Sequence, residues 1–173
     1  MNHARNRRVP CPVVIGSLTA LATGLVFAFA FPLRAASPNQ TNGKRLEFHN
    51  VRAQTEQFID YYSAIRLTPA QERIKAEALD SIPAPCCKKY SMKTCCCPCN
   101  LAKCVWGLSN YLIAEKGYGA AEVKSAVVGW LAFVNPKGFT GDACFTGGCK
   151  RPFAQNGCAG MDAAHVILGD DVQ

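Results

Sequence analysis

The chain has 173 residues, which is enough for one compact domain with extensions. Its formal net charge is +7 at pH 7, and part of this excess comes from four arginines around the first hydrophobic segment, Arg5, Arg7, Arg8 and Arg34. The remaining fifteen Lys and Arg residues are balanced by twelve Asp and Glu residues, an excess too mild to predict a nucleic-acid partner.

An uncharged hydrophobic segment at residues 12–33 predicts a membrane-spanning helix. Its twenty-two residues extend roughly 33 Å at about 1.5 Å per residue, enough to cross a hydrocarbon core of roughly 30 Å. Because arginines precede the segment, the positive-inside rule leaves the amino end in the cytoplasm and the remainder outside. A cleaved signal peptide is the alternative, since residues 28–30 have the small-x-small form of a cleavage site. Residues 1–34 therefore predict export and, in the first interpretation, a membrane partner.

Small and polar residues at 35–50 predict a linker, and residues 51–135 predict an all-α, cysteine-rich domain. Apolar residues recur there with helical spacing, and Thr68 begins a capping box. Four helices are expected, over residues 51–65, from Pro69 to Ile82, from after Pro98 to Gly117, and from Ala120 to Asn135. The last two should pack as an antiparallel pair.

Helical periodicity ends at Pro136, and residues 136–173 predict an irregular tail. Seven glycines lie between Gly138 and Gly169, and a segment of this composition buries too little to offset its conformational entropy. We therefore expect the tail to be stapled by its cysteines. These cysteines would form disulfides or, together with two nearby side chains, serve as additional metal ligands. The five residues are Cys144, Cys149, Cys158, Met161 and His165.

The central feature of the sequence is a run of seven cysteines within nineteen residues. Exported cysteine-rich domains usually form disulfides. Three consecutive cysteines fit a disulfide framework poorly, because adjacent Cα atoms lie about 3.8 Å apart and disulfides prefer about 4.4–6.8 Å. Thiolates converging on one centre bind copper(I), zinc or iron–sulfur groups. The run therefore predicts a soft-metal site with ligands from Cys86, Cys87, Cys95, Cys96, Cys97, Cys99 and Cys104.

Two other functions remain open. Cys96 and Cys99 form a Cys-x-x-Cys pair at a predicted helix amino terminus, where backbone N–H groups stabilise a thiolate, so thiol–disulfide exchange is one alternative. The other is a non-catalytic, disulfide-stapled subunit of a larger membrane complex. Catalysis of other kinds is not expected, because the common catalytic motifs do not occur and the chain has only three histidines to serve as general bases.

Two resemblances accompany these motifs. The stretch from Cys96 to Pro136, a cysteine motif followed by a helix, a glycine-containing turn and a second helix, resembles the small helical domain of the cytochrome c maturation H family. Its members are membrane-anchored, exported thiol reductants, and the resemblance implies that Cys96 and Cys99 stand where that family has its redox pair. Residues 82–87 are similar in placement to the motif of exported Pro-Cys-Tyr-Cys-Gly-Cys lipoproteins, to which metal binding is ascribed.

Overall fold

The structure, a computed structural model, describes residues 46–169. The predicted membrane segment at 12–33 lies outside the described residues. Within 46–169, no helix combines the length and the apolar character that crossing a membrane requires. This part of the chain folds into four α-helices and two short 3₁₀ helices, with one isolated β-bridge between Pro83 and Ser91 and no longer strand. The prediction of an all-α domain is confirmed for these residues.

The first two helices begin where side chains cap their free N–H groups. Helix α1 (Val51–Ala64) begins after Asn50, whose side chain accepts a hydrogen bond from the third residue of the helix. Helix α2 (Pro69–Asp80) begins with the predicted capping box, in which the side chains of Thr68 and Gln71 each accept from the backbone N–H of the other. A cap of this kind contributes roughly 1 kcal/mol, and both predicted starts are confirmed.

The last two helices form the centre of the core. Helix α3 (Asn100–Ala114) ends before Gly117, whose φ of +68° turns the chain toward helix α4 (Ala120–Val134). The predicted apolar stripe of α3 is buried, namely Leu101, Cys104, Val105, Leu108 and Leu112. Trp130 of α4 is also fully buried. Both helices therefore face the interior as their spacing predicts.

Helix α1 crosses α3 at unusually close range. Gly107 makes this possible, because a Cβ atom there would lie 1.7 Å from the carbonyl oxygen of Phe58. Further along the same pair of helices, the rings of Tyr61 and Tyr111 stack with their centroids 4.6 Å apart. The ring of Phe58 also packs edge-on against Trp130, at 5.0 Å between centroids, so this crossing joins α1 to the core formed by α3 and α4.

The tail is ordered from Pro136 to Gly169 and contains no disulfide. All ten cysteines between residues 46 and 169 carry free thiols. The tail is held instead by buried side chains such as Phe153 and by backbone hydrogen bonds to the helical part. Its two 3₁₀ helices, Gly148–Lys150 and Phe153–Gln155, supply the only regular structure in the described part of the tail.

Candidate metal centre

The segment between α2 and α3, residues 81–99, forms a closed loop that presents most of the cysteines and is called the cysteine loop below. Two backbone hydrogen bonds close its first half, from Ala84 N–H to the Tyr90 carbonyl and from Met92 N–H to the Ile82 carbonyl, both at 2.8 Å. The indole N–H of Trp106 on α3 donates to the Met92 carbonyl at 2.8 Å. The loop is therefore fixed on α3 before the run of consecutive cysteines begins.

The tail lies against this loop and brings its own cysteines to it. The N–H of Cys144 donates to the Cys86 carbonyl at 3.0 Å, and the N–H of Leu101 donates to the Cys158 carbonyl at 3.1 Å. Within the tail, the N–H of Cys158 donates to the Gly148 carbonyl at 2.8 Å. These bonds gather cysteines from three separate parts of the chain into one region.

Three of these cysteines form a tight triplet. Among the described residues, Cys96, Cys97 and Cys144 are the one group whose ligand atoms all lie within 4.8 Å of one another. Cys96 is exposed and the other two are half-buried. The thiol of Cys149 interacts with that of Cys144, so a fourth sulfur lies beside the triplet.

Burial raises the pKa values of two triplet thiols and of their neighbour Cys149. It raises the pKa of Cys97 to about 11 and that of Cys144 to about 12, and nearby thiols, first Cys96 and Cys149 respectively, act in the same direction. Burial likewise raises the pKa of Cys149. Cys97, Cys144 and Cys149 therefore hold their protons at neutral pH.

Four other cysteines form a ring. The thiol of Cys86 interacts with those of Cys158 and Cys95, and Cys99 interacts with the same two. Hydrogen bonds with Cys86, and secondly with Cys99, lower the pKa of Cys95 and of Cys158 to about 3. The pKa values of Cys86 and Cys99 are raised by the same hydrogen bonds, those with Cys158 first and those with Cys95 second. The four sulfurs are linked in pairs around the ring, and no three of them lie within 4.8 Å of one another.

The two groups touch at one point. The sulfur atoms of Cys149 and Cys158 lie 3.9 Å apart. This distance is far longer than a disulfide bond of about 2.05 Å, so the two thiols are free.

The remaining predicted ligands lie elsewhere. Cys104 is fully buried on α3 and its thiol donates to the Thr55 carbonyl of α1 at 3.5 Å, and burial raises its pKa. Cys87 is buried in the cysteine loop, with its carbonyl accepting from Tyr90 N–H. Met161 is exposed, with 44% of its surface accessible.

His165 is also placed away from the sulfur atoms. It lines a cavity of about 560 Å³ between α1 and the end of the tail, whose walls include Arg52, Glu56 and Asp60 and no cysteine. The structure therefore does not bring His165 to the thiols. Nor does it join Cys96 to Cys99 as one group, because Cys96 belongs to the triplet and Cys99 belongs to the ring.

Sequence reasoning treated the three tail cysteines as accessory, whereas the structure gives each of them a place among the clustered sulfurs. The sequence signal that could have indicated this placement is a glycine directly before a tail cysteine, at Gly148-Cys149 and at Gly157-Cys158. A Cβ atom at Gly148 would lie 2.5 Å from the Ala143 carbonyl oxygen, and one at Gly157 would lie 2.0 Å from the Arg151 carbonyl oxygen. Only glycine permits these close backbone turns, which carry the following cysteines toward the loop.

No protein-family model, curated protein or solved structure matches this chain. The clustered thiols themselves are compatible with metal binding or with thiol chemistry.

Proposed function

We propose that this protein is an exported, membrane-tethered domain that binds a soft metal through clustered thiolates. The observation that carries the proposal is the triplet of Cys96, Cys97 and Cys144, with all three sulfur atoms within 4.8 Å of one another. The uncharged segment at residues 12–33, preceded by arginines, supports export and tethering. Zinc, copper(I) and iron–sulfur groups are the candidates, because thiolate sulfur selects them.

The geometry of the triplet favours a metal over a disulfide. Cys96 and Cys97 are neighbours in the sequence, and both approach Cys144 of the tail. One disulfide would use two of these sulfurs and leave the third without a role, whereas one metal ion uses all three. Cys149 interacts with Cys144 but does not lie within 4.8 Å of all three triplet sulfurs, so it would have to move closer to supply the fourth thiolate of a closed tetrahedral site.

Metal binding is tested on the full-length chain purified without oxygen. We expect bound metal by elemental analysis and free thiols by titration. In a Cys96→Ser/Cys97→Ser variant, affinity for Zn²⁺, used as the probe, should fall by at least about 100-fold, since even the partners of metal ligands are worth about 10–100-fold. Cys104→Ser is the matched control and should bind Zn²⁺ as the wild type does, because its thiol contacts the Thr55 carbonyl and not the cluster.

Two results would contradict the proposal. One is a wild-type protein that binds no metal after anaerobic purification, with its exported cysteines fully paired in disulfides, which would identify a stapled scaffold. The other is Zn²⁺ affinity that falls equally in Cys104→Ser and in the double variant, which would mean that the substitutions act through folding alone.

Zinc affinity is expected to increase with pH between 6 and 8. The pKa values of Cys97 and Cys144, raised to about 11 and about 12, keep both thiols protonated over this range. Binding must therefore release at least these two protons, and the affinity should increase at least about 100-fold per pH unit. Competition against a chromophoric chelator at several pH values measures the slope, and an affinity independent of pH would contradict the assignment of these thiols as ligands.

A further inference from the structure

We infer that the triplet of Cys96, Cys97 and Cys144 holds its ion with one coordination position open, and that the fourth ligand is the thiolate of a second, negatively charged molecule. This inference rests on the proposed function and adds to it the class of molecule that delivers or removes the ion. The triplet is then a site of metal transfer, in contrast to a closed site that only stabilises a fold.

The structure supplies three ligands at this point and no fourth. Within residues 46–169, Cys96, Cys97 and Cys144 are the one group whose ligand atoms all lie within 4.8 Å of one another, and no further thiol, imidazole or carboxylate joins them. Zinc sites with four protein ligands are closed and structural, whereas sites with three keep a position for an outside ligand. The triplet has the second composition.

The other candidate sulfurs are placed elsewhere. The sulfur of Cys149 lies 3.9 Å from that of Cys158, which is fully buried and whose N–H donates to the Gly148 carbonyl at 2.8 Å. Cys149 would have to move to come within reach of all three triplet sulfurs. Cys11 precedes the hydrophobic segment at 12–33, so the proposed topology leaves it on the opposite side of the membrane.

The triplet opens onto solvent. Cys96 is exposed, and so are the residues that directly follow the other two ligands, Pro98 after Cys97 and Phe145 after Cys144. Phe145 leaves 78% of its surface accessible. An outside thiol therefore reaches this group of sulfurs without any opening of the fold.

Backbone hydrogen bonds hold the tail ligand in place. The N–H of Cys144 donates to the Cys86 carbonyl at 3.0 Å, which ties it to the cysteine loop. The turn around it is closed by the N–H of Gly148, which donates to the Ala143 carbonyl at 2.7 Å. Neither bond involves the ion, so the ligands keep their places when the ion leaves, as a site that repeatedly loads and unloads requires.

The charge of the surrounding chain favours an anionic ligand. The two segments that carry the triplet, residues 81–99 and 141–151, contain five Lys and Arg residues and one carboxylate, Asp142. Lys88 lies 3.9 Å from that carboxylate and Lys93 lies 3.4 Å from Asp80 at the end of α2. A divalent ion on three thiolates carries −1, so the surface remains positive. A thiol that also carries a carboxylate is therefore favoured over one that carries an amine.

Binding of the second molecule is a ligand substitution. Its S–H bond breaks, the proton passes to solvent, and its sulfur takes the position that a water molecule leaves. No electron is transferred. An acceptor with further thiols then replaces the triplet sulfurs one at a time, and each released triplet sulfur regains a proton.

The full-length chain loaded with Co²⁺ alone, without oxygen, tests this inference, because the visible absorption of Co²⁺ reports its sulfur ligands. We expect mercaptopropionate to increase the sulfur-to-cobalt absorption, saturating at one thiol per ion, as three cobalt–sulfur bonds become four. Native mass spectrometry checks that the ion stays on the chain. Cys149→Ser and Cys11→Ser are the matched controls, and both should show the wild-type spectrum and the wild-type response to the thiol.

The charge of the ligand is tested by salt. The affinity for mercaptopropionate should fall as salt increases to 1 M, where screening acts over about 3 Å. The neutral mercaptoethanol should lose less affinity, and the cationic cysteamine least. Equal losses for the three thiols would overturn the preference for an anionic ligand.

The outcomes separate this inference from the proposed function. A Co²⁺ spectrum that the thiol leaves unchanged would overturn the open position, and a cobalt–sulfur bond lost in Cys149→Ser would overturn it as well, by showing a closed site. Both results leave the triplet as a metal site. A wild-type chain that binds no Co²⁺ would overturn both the inference and the proposed function.

Discussion

Under the proposed function, chelation of the metal is expected to lower the Tm of this domain by roughly 15 °C. An ion that binds only the folded state, present at about 1,000 times its Kd, adds about 4 kcal/mol of stability. Each kcal/mol shifts Tm by about 4 °C in a domain of this size. Under the proposed function, the ion would join the cysteine loop to the tail, which are otherwise connected by hydrogen bonds such as that from Cys144 N–H to the Cys86 carbonyl.

Thermal unfolding followed by circular dichroism, in reducing buffer with and without chelator, measures this shift. Trypsin provides a local readout, since loosening of the tail should expose the chain after Lys150. Cys104→Ser serves as the control and should show the wild-type shift, because its thiol lies between α1 and α3. A Tm that the chelator leaves unchanged, with the metal shown to be gone, would mean that the ion does not stabilise the fold.

Gly107→Ala is expected to destabilise the domain by about 3 kcal/mol or more. The new Cβ would lie 1.7 Å from the Phe58 carbonyl oxygen and 2.7 Å from the Tyr62 nitrogen. Both are backbone atoms of α1, so no side-chain rotation relieves the clash and the two helices must separate. Overpacking a well-packed core typically costs about 1–3 kcal/mol, and contact with backbone puts this site at the upper end.

Gly129→Ala is the matched control for that variant. It makes the same exchange inside helix α4, where the new Cβ would lie 3.4 Å from the nearest atom, Cε2 of Phe48. Alanine is favoured over glycine in a helix by about 1 kcal/mol, so Gly129→Ala should leave stability unchanged or raise it. Chemical denaturation of both variants tests the pair. Equal stability of Gly107→Ala and the wild type would show that the α1–α3 crossing is looser than described.

The helices could be predicted from the sequence because their signals are local. The capping box at Thr68 and the apolar spacing along α3 each depend on residues within one or two turns. The close crossing at Gly107 could not be predicted, since a glycine in a helix pattern does not reveal which neighbour approaches it. That information is present only in the packing of α1 against α3.

The candidate site was predicted in part. The density of cysteines located it, but which thiols meet depends on contacts between residues far apart in the chain, such as Cys86 with Cys158. Cys104 was included because it belongs to the same run, yet its helical position turns it toward Thr55 on α1. Sequence spacing locates a thiol, whereas the direction of its side chain is set by the element that carries it.

The contact between Cys149 and Cys158 has a consequence for exposure to oxidants. The two thiols are free and their sulfur atoms lie 3.9 Å apart, so an approach of about 2 Å would bring them to the length of a disulfide bond. Oxidation would then compete with any metal ion for Cys149, and measurements of metal content should begin from fully reduced protein.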